Sequence, residues 1–118
     1  MSEQWRDACS AWWEHVKYGN PIIVPVAPLS TILEHIDQID YLQIDTEGHD
    51  YRVLLGMDWC KKPEIICLET INMVDRSNKN ADGSSTPSIE IEDLMWTRGY
   101  VLVMLTKDGN AIYRREDA

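Results

Sequence analysis

The chain has 118 residues, 44% of them hydrophobic and 26% charged, with a formal net charge of −9. That length bounds it to one domain, able to bury roughly two thirds of its unfolded surface, and the balance of residue types excludes a wholly disordered chain. The negative charge opposes a nucleic-acid backbone, which attracts protein through clustered lysine and arginine, so no nucleic-acid partner is expected.

Residues 4–18 carry Trp5, Cys9, Trp12, Trp13 and Val16 at a spacing of three to four, which predicts an amphipathic helix within residues 1–21. Gly19-Asn20-Pro21 ends it. The tryptophans fit packing against the domain or a protein interface better than base stacking, given the acidic charge. The polar start, with Arg6, Asp7 and Glu14, reads as neither signal peptide nor membrane span, so no membrane partner is expected. Cys9, Cys60 and Cys67 lack paired metal spacing and cannot all pair internally, which suits a reducing, cytoplasmic setting.

From residue 22 to 118 the pattern is that of one α/β body. Ile22-Ile23-Val24-Pro25-Val26 is β-branched, but Pro25 cannot donate to a ladder, so it belongs at a sheet edge or outside regular pairing. Thr31 and Glu34 have capping-box spacing and predict a helix over about 31–37. Tyr41 to Asp45 reads as a strand, 48–56 as a helix, and Glu64 to Glu69 as a strand buried on both faces. Strand, helix and strand so close together make a βαβ unit. Residues 75–88 are polar and predict a mobile loop, after which Thr86-Pro87 supplies a cap and first turn for a helix that Gly99 stops. Tyr100 to Thr106 and Ala111 to Arg114 then form a hairpin across 107–110.

The segment Asp45-Thr46-Glu47-Gly48-His49 is where a buried strand breaks into acidic residues, at the sheet end where open α/β folds bind ligands. With Glu69 ending the neighbouring strand, three carboxylates and an imidazole would meet in one crevice. Like-charge repulsion there can raise a carboxyl pKa, or a histidine can be shifted upward, and either gives a general base. The structural alternative is that Asp45 caps the next helix, Glu47 is solvated and His49 lies on the surface. Asp45, Glu47 and Glu69 are also hard oxygen donors suited to Mg²⁺ or Ca²⁺, but their spacing matches no dedicated ion loop, and no metal is assigned. No Gly-x-Ser-x-Gly nucleophile is present, and Cys67 reads as a packing thiol.

Leu29-Ser30-Thr31-Ile32-Leu33, Ile39 through Asp50, Val53-Leu54, Lys62 through Glu69 and Gly99-Tyr100 together resemble the FkbM-type S-adenosylmethionine-dependent methyltransferases. The resemblance implies a partial Rossmann-like methyltransferase sheet: the parallel βαβ unit supplies its fourth and fifth strands, the antiparallel hairpin its sixth and seventh. It further implies methyl transfer to a hydroxyl of a sugar or small molecule. Asp45 would lie by the reactive methyl, as a cofactor-binding and catalytic residue with Glu47 and His49, while Glu69 and Asn72 would bind the acceptor. Members of that family carry a glycine-rich cofactor loop on the first strand, whereas the six glycines here are scattered. The chain therefore resembles the carboxyl-terminal half of such an enzyme. S-adenosylmethionine is expected only if a complementary N-terminal half, or a second copy in a homodimer, completes the pocket, with Asp45 or His49 as base and Glu69 orienting. The alternative is a noncatalytic fragment that acts in assembly through an open sheet edge, which the tryptophan helix could cover.

Overall fold

The computed structural model describes residues 19–70 and 78–118. The expected N-terminal helix falls outside them up to residue 18, as do Asn72 and the first residues of the 75–88 loop. In chain order the elements are α1 (Leu29–Ile32), β1 (Tyr41–Ile44), α2 (Asp50–Leu55), β2 (Ile65–Glu69), α3 (Ile89–Thr97), β3 (Tyr100–Leu105) and β4 (Asn110–Arg115). The strands form one sheet in the order β1-β2-β4-β3. β1 and β2 run parallel, whereas β4 is antiparallel to both β2 and β3. The result is a mixed α/β architecture, consistent with the partial Rossmann-like sheet that the sequence suggested.

Position in the sheet explains residue choice. β2 is central, and its middle residues Ile66, Cys67 and Leu68 are all buried, as a strand covered on both faces requires. In register, Ile66 opposes Leu42 and Tyr113, and Leu68 opposes Ile44 and Ala111. These rows face Leu54 of α2 and Ile91 and Met95 of α3, which together with Tyr100 form the core. Cys67 points to the opposite face because side chains alternate along a strand. β4 alternates the same way, with Ala111 and Tyr113 buried and Arg114 exposed. In β3 the register shifts between Leu102 and Met104, leaving Val103 as a bulge.

Polar contacts fix the hairpin against β2. The Tyr100 hydroxyl donates to the Pro63 carbonyl, and Arg115 Nη1 donates to the Lys62 carbonyl at 2.9 Å. Trp59 meets Tyr100 edge-on at 6.3 Å, and the Arg98 guanidinium lies 5.2 Å from the Trp59 ring centre, both favourable aromatic geometries.

The helices depart from expectation at their ends. α1 begins at Leu29 with Pro28 as its N-cap and no side-chain capping bond. Thr31 therefore sits inside the helix, the capping box with Glu34 is not formed, and the helix over 31–37 is corrected to one turn. The Lys61 ammonium donates to the Leu33 and Glu34 carbonyls at 3.2 and 2.7 Å, satisfying the chain as it leaves the helix. α2 is shorter than 48–56, because Gly48 at φ +100° is incompatible with a helix and Gly56 serves as the C-cap. α3 is capped by Ser88, whose hydroxyl accepts from the Ile91 amide, and not by Thr86. Thr86 is already engaged: its amide donates to the Asn78 carbonyl, and its carbonyl accepts from the Asn78 side chain. Gly99, at φ +84°, follows the α3 C-cap as expected. Residues 22–26 lie outside the sheet, with Ile22, Ile23, Val24 and Val26 exposed.

Candidate functional site

Ile44 and Leu68 are the last register partners of the parallel pair. The next residues, Asp45 and Glu69, consequently leave adjacent strands at the same end of the sheet. Asp45, Glu47 and Glu69 each present a carboxylate oxygen within 4.8 Å of the others. The same closeness would let a hard cation bridge them, and exposed acidic groups sit this close without one as well.

The turn between β1 and α2 achieves this convergence through unusual backbone. Glu47 has φ +54° and Gly48 φ +100°, and a left-handed conformation costs a non-glycine residue roughly 1–2 kcal/mol. Glu47 is the one non-glycine residue with positive φ among the described residues. Strain of this kind persists where surrounding contacts over-determine it, and such places are often functional.

Glu69 is electrostatically distinct. Its carboxyl is pushed up to about 8, first by burial, then by a side-chain hydrogen bond with Asp45, and then by repulsion from Glu47, Asp45 and Asp50. Burial disfavours the charged form, and a second carboxylate nearby does the same. The protonated Glu69 is thus the form this surrounding favours near neutral pH. The sequence suggests Asp45 or His49 as base with Glu69 orienting; in the structure burial and the neighbouring acids act on the Glu69 carboxyl.

His49 stands at the N-terminal boundary of α2, where its carbonyl accepts from the Val53 amide at 3.1 Å. Its side chain makes no capping bond, and it is not part of the carboxylate cluster. Nor does Asp45 cap α2, so that structural alternative is corrected: the capping position belongs to His49. Asn72, expected to bind the acceptor, lies outside the described residues.

One contributor was missed. Asp50, 3% exposed, accepts from the Thr46 amide at 2.9 Å, the Thr46 hydroxyl at 2.5 Å and the Glu69 amide at 2.9 Å. The available signal was a threonine four residues before an acid in the first turn of a helix. Just beyond, the Thr70 amide donates to the Gly109 carbonyl at 2.7 Å, and its hydroxyl lies 3.1 Å from the Ser85 and Gly109 carbonyls. The end of β2 is thereby tied to the hairpin turn and to the loop before α3.

Among the described residues no helix is long and apolar enough to cross a membrane. Neither a search of curated proteins nor one of solved structures returned a match. A family model, the methyltransferase FkbM domain, matches residues 3–102. That span contains the whole carboxylate cluster and most of the chain, and the chain belongs to the methyltransferase FkbM domain family.

Proposed function

We propose that this chain forms the acceptor side of an S-adenosylmethionine-dependent methyl-transfer site, with a hydroxyl of a sugar or small molecule as acceptor. The observation that carries the reading is the Asp45–Glu69 pair at the ends of two parallel neighbours, inside the span matched by the family. Adenosylmethionine is the usual cofactor of methyltransferases, but the described residues do not fit it alone. Gly48, Gly56, Gly83, Gly99 and Gly109 stand singly at turns and helix ends, and none belongs to a glycine-rich strand-to-helix loop of the kind that cradles a nucleotide. The cradle must be supplied from beyond these residues, by further chain or a complementary N-terminal half. Exposure of Ile22, Ile23, Val24 and Val26 favours such an association.

In this reading Glu69 receives the acceptor's hydroxyl proton. A carboxyl poised at about 8 is a stronger base, once ionised, than an ordinary carboxylate, and is better matched to an alcohol. Asp45 hydrogen-bonds Glu69, Glu47 raises its basicity by repulsion, and His49 flanks the acceptor. The free thiols Cys60 and Cys67 accord with a reducing, cytoplasmic setting.

Calorimetry with adenosylmethionine on the isolated chain, and again with an N-terminal methyltransferase half added, should give heat in the second case. No heat in either case removes the reading. In the completed enzyme, Glu69→Gln should lower the transfer rate roughly 10²–10⁴-fold. Wild-type turnover should rise with pH through about 8, where Glu69 ionises.

A further inference from the structure

A carboxylate that is nine-tenths or more buried is costly unless its oxygens are satisfied. Asp50 meets this condition in a particular way. Oδ1 takes both the amide and the hydroxyl of Thr46, and Oδ2 takes the amide of Glu69. Thr46 lies between Asp45 and Glu47 in the chain, so every member of the acidic cluster is either gripped by Asp50 through its own backbone or bonded covalently to a residue that is. The β1–β2 ladder ends one residue earlier, at Ile44 and Leu68. Past that point, among the described contacts, the Asp50 side chain joins the two strand ends.

We propose that Asp50 is a positioning residue that holds the Glu69 backbone against the β1–α2 turn and so sets the Glu69 carboxyl beside Asp45 and Glu47. The role rests on the reading of Glu69 and Asp45 as the proton-handling pair, but its geometry exists in the chain without any cofactor. Glu47 and its left-handed backbone fit the same picture, since the two Thr46 bonds anchor the residue before the strained position. Among the described residues the charged groups facing Glu69 are Asp45, Glu47 and Asp50. Removing Asp50's charge and loosening the grip act in the same direction, both returning Glu69 toward the usual carboxylate range.

Asp50→Asn in the isotopically labelled full chain tests this by NMR. One carboxylate oxygen is replaced by an NH2 donor, which cannot accept from the backbone amide it would face. Exchange of the Glu69 or Thr46 amide proton should accelerate roughly tenfold or more. The midpoint of the Glu69 side-chain carboxyl signal should fall from about 8. The amides of Ile66 and Leu68 should keep their protection, which a general loosening of the fold would not allow. A folded Asp50→Asn chain with the Glu69 amide and midpoint unchanged overturns the proposal. Should that variant fail to fold, Thr46→Val removes only the hydroxyl bond and should shift the Glu69 midpoint the same way by less; no shift there overturns it equally. Neither readout uses methyl transfer, so loss of the enzymatic reading and loss of this one are separately visible.

Discussion

The centre of the sheet and its mouth are built on opposite terms. Around β2 the side chains of Leu54, Ile66, Leu68 and Met95 are removed completely from water, and these four belong to one apolar cluster. A single step further along β1 and β2, carboxylates crowd together, Glu47 takes a left-handed backbone and Glu69 resists ionising. The first region supplies stability, and the second spends part of it. What the contrast teaches is that Glu69 is carried into the acidic mouth by the most buried strand among the described residues.

The largest effect should come from weakening the mount. Leu68→Ala empties a fully buried position beside Glu69 and should cost about 2–5 kcal/mol in a urea melt. A loss smaller than about 1 kcal/mol, below what a buried leucine truncation gives, would break the contrast. Next in size, and opposite in sign, is Glu47→Gly. It relieves the φ +54° backbone and one repulsion on Glu69, so despite the freedom glycine adds to the unfolded chain it should gain up to about 1 kcal/mol. Destabilisation instead would mean that the turn is not strained.

The smallest effect sharpens the comparison through pH. Glu69 ionises at about 8 in the fold against an ordinary value of 4.5 in the unfolded chain, so between those values the folded chain holds more proton than the unfolded one. Stability from this group is therefore greatest below the lower value and declines as pH rises toward the upper. Solvent reaches the half-buried carboxyl and damps the change. Urea melts across that window should show the decline, and Glu69→Gln should flatten it.

The strands and the position of the acidic site were legible because both are written in local pattern. An apolar run ending in Asp45, and another ending in Glu69, mark the strand ends whether or not the residues between them are known. Helix starts were less legible, since a threonine able to cap can also be claimed elsewhere: the Thr86 hydroxyl donates to Asn80 Oδ1, and Thr31 lies a turn too late behind Pro28. The division of labour among the acids was hidden for another reason. Desolvation of Glu69 and the bond from its amide to Asp50 depend on what meets in three dimensions; only the Thr46–Asp50 half of the grip carries a local spacing.

The bonds from Thr70 to Gly109 and Ser85 carry a consequence for anyone who engineers this chain. The β3–β4 turn resembles a harmless place for a tag or an inserted epitope, yet its glycine carbonyl is a direct rivet on the rim of the acidic mouth. Cargo grafted there would be felt where the chemistry is expected.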